Sequence, residues 1–307
     1  MRPYQNMLVV ARKYNDIYYA VSTDEWRSCK EHYLLMITDR LDGSKYPMQE
    51  AFNKVITIHT KAGTIGYYQQ CRKVNNIVKR LDYSTVVLSN LAMVANLCTI
   101  SGNKVTNVIL VEDGLMNYYD FQPSQRTSKK ILELLFGIDE PKIQSKISKT
   151  YVLNPDLAKY YFGKLNKLYL NTELFAKHAK IDMTLKGKSI FVGQDLYNVK
   201  DISVEEYSEI VNRIIKEHNI DFYLPHTRCS ENEEIQCAKL NLRDSLTTLE
   251  IYSSLFPLKV YSFSSSVLYT TKIINPEVMS FSIRSEKTDL INDDSIIYKY
   301  VNGVIKI

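Results

Sequence analysis

The chain has 307 residues, of which 45% are hydrophobic and 24% charged, an ordinary composition for a globular protein. Its net charge is +5, but the lysines are scattered rather than clustered. This pattern excludes a nucleic-acid-binding stripe and leaves an anionic substrate or an anionic membrane surface open as partners. The length predicts two domains of roughly 150 residues each.

The cysteines and the apolar runs exclude two further classes of protein. The five cysteines are odd in number and contain no CxxC pair, so they predict neither a disulfide framework nor a zinc site. No run reaches the ~18 apolar residues of a membrane-spanning helix. The first residues also lack the charged start and apolar core of a signal peptide. We expect an intracellular protein that at most touches the inner face of the cell membrane.

The first half of the sequence alternates between apolar runs and amphipathic stretches. Buried strands are predicted at 7–11, 32–37, 55–59, 84–88 and 108–111, and helices at 64–81 and 125–136. A strand–helix alternation of this kind indicates βαβ units and a parallel sheet.

The same pattern restarts after a polar segment at 139–188 that contains several prolines and glycines. We place the domain boundary in this segment, giving domains 1–155 and 156–307. Strands are then predicted at 189–192, 221–224 and 258–262, and a helix at 204–217. Two consecutive α/β halves predict two Rossmann-like domains facing a central cleft. Neither a GxGxxG nor a P-loop motif is present, so the NAD and ATP fingerprints are missing.

The strongest candidate site follows the strand at 108–111. Four apolar residues in a row predict a fully buried strand, and Glu112, Asp113 and Gly114 come directly after it. In an open α/β sheet, ligands bind beyond the carboxyl ends of the strands. Gly114 allows a sharp turn and keeps side-chain bulk away from a substrate. The alternative is an ordinary Asp-Gly turn.

Three features of the second half are candidates for binding an anionic ligand. His226 follows Pro225 at a predicted strand end, where it could donate a proton near neutral pH, although a turn histidine is the alternative. The run Ser264–Ser266 offers hydroxyls and backbone N–H groups to a phosphate, or else forms a simple helix cap. Glu250 could bind a ribose diol or could merely face water.

Together and in this order, the motifs resemble those of the bacterial sialyltransferases of the lipooligosaccharide and capsule type, glycosyltransferase family 52. The acid-acid-glycine, histidine-proline and serine/threonine-rich motifs of that family are matched by Glu112-Asp113-Gly114, His226-Thr227 and Ser264-Ser265-Ser266. Thr227 departs from the family pattern, which has proline there. The segment 193–197 (Gly-Gln-Asp-Leu-Tyr) is also similar to the family.

The resemblance implies a GT-B fold with an acceptor-binding first domain and a second domain that binds CMP-sialic acid. The donor-binding residues implied are Gln194, Leu224, Pro225, His226, Glu250, Ser264, Ser265 and Ser266. Among them, the serines would hold the phosphate, Glu250 the ribose, and the backbone near Leu224 and Pro225 the cytosine. His226 would lie close to the phosphate and assist its departure.

The resemblance further implies that Asp113 deprotonates an acceptor hydroxyl, with Asp195 as the alternative base. Asn15, Asp16, Glu112 and Gly114 are the implied acceptor-binding residues. The reaction would be a single inverting displacement onto a terminal sugar, such as galactose, of a bacterial surface glycan. Because no Asp-x-Asp motif is present, we expect no metal and no cofactor. A homodimer is left open.

Two other functions are also left open at this point. The first is a GT-B glycosyltransferase that uses a UDP- or GDP-sugar. The second is a protein that binds glycan without turnover.

Overall fold

The computed structural model describes residues 6–38, 45–60, 63–102, 104–120, 127–200, 202–226, 232–242, 245–285, 287–288 and 295–307. The chain divides into two compact units, Met1–His178 and Ala179–Ile307. Each unit contains a parallel β-sheet within its described residues. Along these same stretches, every helix is too short or too polar to cross a membrane.

In the described part of the first unit, seven parallel strands form one sheet. They are β1 (Met7–Ala11), β2 (His32–Thr38), β3 (Lys54–His59), β4 (Thr85–Leu88), β5 (Asn107–Val111), β6 (Ile147–Val152) and β7 (Lys164–Lys167). Their spatial order is β3-β2-β1-β4-β5-β6-β7. The direction in which the chain adds strands therefore reverses between β1 and β4, which creates a crevice at their carboxyl ends.

The helices of this unit lie between successive strands, except the last, which follows the final strand of the sheet. They are α1 (Tyr14–Ala20), α2 (Asp24–Ser28), α3 (Gly63–Val78), α4 (Val94–Cys98), α5 (Thr127–Leu135), α6 (Glu140–Gln144) and α7 (Thr172–His178). All five residues of β1 are buried, and so are the last four of β5. Both strands are continuous apolar runs because a parallel sheet covered on both faces offers no solvent-facing side.

The second unit repeats this arrangement with six strands among its described residues. They are β8 (Ser189–Val192), β9 (Phe222–Leu224), β10 (Ala238–Lys239), β11 (Lys259–Ser262), β12 (Met279–Arg284) and β13 (Gly303–Lys306). The order β10-β9-β8-β11-β12-β13 again reverses beside the first strand, between β8 and β11. Its helices are α8 (Val204–Glu217), α9 (Leu249–Leu255), α10 (Val267–Ile274) and α11 (Ile296–Tyr300). Two Rossmann-like domains, as the sequence predicts, are therefore present.

The division between the units lies later than the boundary predicted between residues 155 and 156. β7 pairs with β6 along Lys149–Val152, so the segment that follows residue 155 completes the first sheet before the chain enters the second unit. The signal in the sequence is weak because β7 reads Lys-Leu-Asn-Lys, a polar strand at the sheet edge. Charged edge strands of this kind protect a sheet from pairing with other chains.

Candidate active site

The loops that follow β1, β4 and β5 enclose a pocket of about 250 Å³ in the first unit. They lie at the carboxyl ends of strands on either side of the point where the strand order reverses. The pocket is lined by Arg12, Ser89, Asn90, Ala92, Met93, Asp113, Met116, Asn117 and Tyr160. Asp113 thus lies where the sequence predicts it, beyond the end of β5 and beside a cavity.

Asp113 is held in place from two directions. Its Oδ1 lies 3.0 Å from Nζ of Lys13, and its side chain keeps 16% exposure. Its backbone N–H donates to Oδ1 of Asn117 at 2.6 Å, while Nδ2 of Asn117 donates to the carbonyl of Tyr160 at 3.1 Å. Gly114 takes a φ of +66°, a conformation that favours glycine, and starts the short 3₁₀ helix that carries Asn117. The carboxylate is therefore oriented toward a pocket yet still accessible.

Glu112 takes a different place from the one predicted for it. Its side chain is fully buried, and Oε2 accepts hydrogen bonds from the Tyr118 hydroxyl and the Leu153 N–H, both at 2.8 Å. Burial, partly offset by these hydrogen bonds, raises the pKa of Glu112 to about 7. A fully buried carboxyl does not reach an acceptor in this arrangement. Instead it ties the loop after β5 to the end of β6.

Asp16 has a similar supporting place beneath the loop after β1. It is buried, and its Oδ2 accepts from the backbone N–H groups of Arg12 and Lys13 at 2.8 and 3.1 Å. Burial raises the pKa of Asp16, while the nearby Lys13 lowers it. Asp16 is predicted to contact the acceptor, but in the structure its carboxylate holds the backbone of the loop after β1. The neighbouring Asn15 is partly exposed, and its role in acceptor binding stays a prediction.

In the second unit, Gln194 after β8 and Ser264 after β11 are joined across the reversal point of the sheet. The Ser264 N–H donates to Oε1 of Gln194 at 2.6 Å. Among the described residues, no acceptor is found for the backbone N–H groups of Ser265 and Ser266, which precede α10. Backbone N–H groups at the start of a helix can bind an anion. The predicted phosphate contacts are thus grouped at one edge of this sheet, and their role stays a prediction.

A buried layer of tyrosines supports this edge. The Tyr207 hydroxyl accepts from the Gln194 N–H at 3.0 Å and lies 3.3 Å from the Tyr223 hydroxyl. Tyr223 in turn donates to Oε2 of Glu233 at 2.9 Å. Burial and the proximity of Tyr207 and Glu233 raise the pKa of Tyr223, which keeps this hydroxyl protonated. A β-carbon on Gly193 would collide with that hydroxyl, so the layer requires glycine before Gln194.

The remaining predicted donor-binding residues lie at the end of β9 and on α9. Leu224 ends β9, and its carbonyl accepts from the Gly193 N–H at 2.8 Å, while Pro225 and His226 follow directly. Because proline has no N–H, a ligand could meet Pro225 through its carbonyl oxygen. Glu250 lies in α9 with Oε1 at 3.4 Å from the Thr270 hydroxyl of α10, a weak contact. Thr227, the departure from the family motif, lies outside the described residues.

Several residues of the first-unit pocket escape the sequence analysis, above all Arg12, Lys13 and Asn117. A usable signal exists for Arg12 and Lys13 because they directly follow β1, a fully buried strand beside the point where the strand order reverses. The strand-end rule that selects Asp113 applies equally to them. Asn117 has no comparable signal, since its contact with Asp113 depends on the 3₁₀ turn. Asp195, the alternative base, belongs to the second unit and accepts from Nδ2 of Asn198.

Comparisons with known proteins agree with this architecture. The model of glycosyltransferase family 52 matches residues 32–279. The solved UDP-GlcNAc 2-epimerase from Methanocaldococcus jannaschii is similar in fold, with a TM-score of 0.50 and 12% identity over 98% of this chain and 88% of its own. The solved Listeria monocytogenes protein assigned as a UDP-N-acetylglucosamine 2-epimerase is also similar in fold, with a TM-score of 0.53 and 7% identity over 92% of this chain and 80% of its own. No curated protein matches the sequence. The predicted GT-B fold is confirmed.

Proposed function

The chain belongs to glycosyltransferase family 52, and from this membership we propose that it transfers sialic acid from CMP-sialic acid to a hydroxyl of an acceptor sugar. A glycosyltransferase takes a nucleotide-sugar donor and a glycan acceptor. The motif resemblance favours CMP-sialic acid among donors and a terminal galactose of a bacterial surface glycan among acceptors. In this proposal the first unit binds the acceptor and the second unit binds the donor.

The observation that carries the proposal is the arrangement around Asp113. A general base needs a carboxylate that is oriented, accessible and within hydrogen-bond reach of the proton it takes. The Lys13 ammonium and the Asn117 amide fix Asp113, while part of its side chain stays open to the pocket. The pocket of about 250 Å³ has room for part of a sugar ring. Asp113 is the group we propose as the base.

The second-unit edge supports a monophosphate leaving group. Gln194 orients the Ser264 loop through its 2.6 Å hydrogen bond, which leaves the N–H groups of Ser265 and Ser266 available to phosphate oxygens. Neutral N–H donors stabilise a developing negative charge without a metal. We therefore propose that this loop receives the CMP phosphate, with His226 donating a hydrogen bond or proton to it.

The proposed reaction is one inverting displacement that needs no metal. The acceptor oxygen forms a bond to the anomeric carbon of sialic acid as the bond from that carbon to the CMP phosphate oxygen breaks. The acceptor proton moves to a carboxylate oxygen of Asp113. CMP leaves with the electron pair of the broken bond, and the added negative charge is offset by the Ser265 and Ser266 N–H groups and by His226.

The test is CMP release from CMP-sialic acid in the presence of lactose and excess EDTA. We expect acceptor-dependent release from the wild type and a fall of about 10²–10⁴-fold in Asp113→Asn, the range for losing a general base. Asp120→Asn is the matched control because Asp120 is a well-exposed neighbour whose ion pair with Lys159 is long, at 3.4 Å. His226→Ala tests the donor side, and Asp195→Asn tests the alternative base.

Three results would contradict parts of the proposal. Turnover of UDP-galactose or a GDP-sugar with no CMP release would keep the glycosyltransferase and discard the donor. Full activity in Asp113→Asn with loss in Asp195→Asn would move the base to the second unit. Binding of CMP and glycan without turnover of any donor would favour the glycan-binding alternative.

A further inference from the structure

The segment that follows β1 contains three buried polar atoms for which no hydrogen-bond partner is found among the described residues. They are Nη1 of Arg12, Oδ1 of Asn15 and Oδ1 of Asp16. Buried polar atoms of folded proteins are nearly always hydrogen-bonded, so each unpaired one needs an explanation. This segment lies at the carboxyl end of a strand beside the reversal point of the sheet, where ligands of open α/β sheets bind. The three atoms therefore indicate a place where a ligand completes the hydrogen bonding.

Arg12 is the cation of this segment, and it lines the pocket that contains Asp113. Its backbone N–H donates to Oδ2 of Asp16 at 2.8 Å, whereas Nη1 of its guanidinium finds no acceptor within the described part of the chain. A guanidinium stays charged throughout the pH range of proteins, so Arg12 cannot remove the cost of its unpaired nitrogen by releasing a proton. The pocket therefore has a permanent positive charge at its wall.

The neighbouring groups do not neutralise this charge. The carboxylate of Asp113 already pairs with Nζ of Lys13 at 3.0 Å. Glu112 is buried beneath the edge and is held by the contacts described above. Burial raises the pKa of Tyr67, a neighbour of the guanidinium, to about 12, so its hydroxyl stays protonated. The charged side chains that line the pocket, together with the lysine paired to them, thus carry two positive charges and one negative charge.

An acidic group on the acceptor sugar would satisfy this arrangement. The planar guanidinium of Arg12 offers paired N–H donors that match the oxygens of a carboxylate or a phosphate. Ser89 and Asn90, which also line the pocket, are neutral and suit the hydroxyls of the same sugar. An acidic acceptor brings a second negative charge close to Asp113, and the charges of Lys13 and Arg12 together offset both. A neutral sugar would leave the guanidinium without a counter-charge.

We propose that Arg12 selects an acidic acceptor, in which the sugar that loses its hydroxyl proton to Asp113 also carries a carboxylate or a phosphate bound by the guanidinium. This inference rests on the proposed transfer and names the class of its acceptor. Arg12 and Asp113 line one pocket of about 250 Å³, so binding of the acidic group positions the rest of the sugar beside the base. Arg12 is thus a specificity-determining residue of the first unit.

The competing anion for Arg12 is the carboxylate of the sialic acid on the donor. If the guanidinium bound that group, transfer to every acceptor would depend on Arg12 to the same extent. The acceptor is favoured because the residues that line this pocket all belong to the first unit, whereas the proposed donor contacts belong to the second. The two assignments therefore predict different patterns across a set of acceptors.

The first test compares CMP release from CMP-sialic acid with acceptors that differ in one group. Methyl β-galactoside, its galacturonide and its 6-phosphate differ only at the sixth carbon, and they separate carboxylate from phosphate. Sialyllactose against lactose extends the comparison to a terminal sialic acid. We expect kcat/KM to be about 10- to 100-fold higher for an acidic acceptor than for its neutral counterpart, the range for a hydrogen bond to a charged group. Equal values within every pair overturn the proposal.

The second test repeats these pairs in variants of Arg12. Arg12→Gln removes the charge and should abolish the preference for the acidic acceptor. Arg12→Lys keeps the charge but loses the planar fork, so it should retain only part of the preference. Arg27→Gln is the matched control because Arg27 is exposed on α2 and does not line the pocket. An equal loss with acidic and neutral acceptors in Arg12→Gln would assign the guanidinium to the donor and overturn the proposal.

A third measurement separates this inference from the proposed reaction. Calorimetric titration without donor compares the binding of methyl β-galacturonide, the 6-phosphate and sialyllactose with that of their neutral counterparts. We expect an acidic sugar to bind more tightly and Arg12→Gln to remove the difference, while Trp26 fluorescence verifies that the variant is folded. Acid-selective binding without CMP release from any acceptor would support the role of Arg12 and refute the reaction. CMP release without acid selectivity would support the reaction and overturn the role of Arg12.

Discussion

The two units present their candidate residues at the same place in the same sheet topology, but they hold them by different chemistry. In the first unit, buried carboxyl groups and an ion pair support the edge, with Asp16 and Glu112 beneath and Lys13 on Asp113. In the second unit, Gln194 and the serine loop rest on a layer of tyrosine hydroxyls. The difference teaches that one sheet topology can present a carboxylate at the strand ends of one unit and neutral N–H groups at the strand ends of the other.

This contrast has a consequence for how each unit responds to pH. A buried carboxyl whose pKa is shifted changes the free energy of unfolding as the solution is titrated. The Tyr223 hydroxyl of the second unit, whose pKa is raised, stays protonated through the neutral range and therefore contributes no such change there. Between about pH 4.5 and 7, where Glu112 titrates, we therefore expect the first unit to be the more pH-sensitive one. Trp26, the one tryptophan in the sequence, is buried in the first unit and reports on its unfolding by fluorescence.

The largest expected effect concerns Glu112. Its folded-state pKa is raised from 4.5 to about 7, so the folded chain keeps a proton that the unfolded chain has already released. The stability contributed by this group is complete below about pH 4.5, falls as the pH rises toward 7 and is constant above that. Over this interval the loss amounts to about 3 kcal/mol. Glu112→Gln, which cannot ionise, should not show it.

The measurement is urea unfolding followed by Trp26 fluorescence across this pH interval. The wild type should lose stability relative to Glu112→Gln as the pH rises. Glu209→Gln, on the exposed side of α8 in the other unit, is the control and should follow the wild type. Parallel pH profiles for the wild type and Glu112→Gln would show that Glu112 ionises normally.

The next effect concerns the tyrosine layer of the second unit. A methyl group on Gly193 would meet the hydroxyl end of Tyr223, so Gly193→Ala should destabilise this unit by roughly 2 kcal/mol, as overpacking in a core usually does. Tyr223→Phe removes the clashing oxygen, and the double variant should be more stable than the sum of the single changes predicts. Circular dichroism should detect the early unfolding while the Trp26 signal stays unchanged. Simple additivity would mean that the two residues are not in conflict.

The sequence predicts those parts of the molecule that depend on local pattern. β1 and β5 are recognisable because all of β1 and the last four residues of β5 are apolar, as expected for strands covered on both faces, and the place of Asp113 follows from the end of β5. The polar edge strand β7 carries no such pattern, and for that reason the predicted cut after residue 155 comes before the end of the first sheet, although the division lies within the predicted segment 139–188.

Contacts between distant segments could not be predicted in the same way. Lys13 and Asp113 are 100 residues apart in sequence, and they meet because β4 alone separates β1 from β5 in the sheet. The burial of Glu112 depends on Leu153 after β6, a strand that the sequence analysis does not identify. The residue types indicate two carboxylates at this edge. Only the tertiary structure shows that Glu112 is buried and that Asp113 remains accessible from the pocket.

A smaller effect on activity is expected from the ion pair of the first unit. Lys13→Met removes the ammonium that orients Asp113, and we expect kcat/KM for CMP-sialic acid transfer to fall about tenfold, equivalent to about 1.4 kcal/mol in the transition state. Lys13→Arg should retain most of the rate because it preserves the charge. Lys159→Met, beside the exposed Asp120, is the control. An unaltered rate in Lys13→Met would leave the orientation of Asp113 to Asn117 alone.

The smallest effect separates the backbone of the first-unit edge from its charges. Gly114 has a φ of +66°, so Gly114→Ala should lower the stability of the first unit by about 1 kcal/mol, and Gly114→Asn by less, because asparagine tolerates this conformation better. Gly102→Ala is the control, since Gly102 lies in the same unit, has an ordinary backbone conformation and open space around its α-carbon. The Trp26 unfolding midpoint measures all three. If Gly114→Ala were as stable as Gly102→Ala and still released less CMP, Gly114 would be needed to leave room beside the substrate. If Gly114→Ala were less stable but fully active, the turn at Gly114 would serve the fold alone.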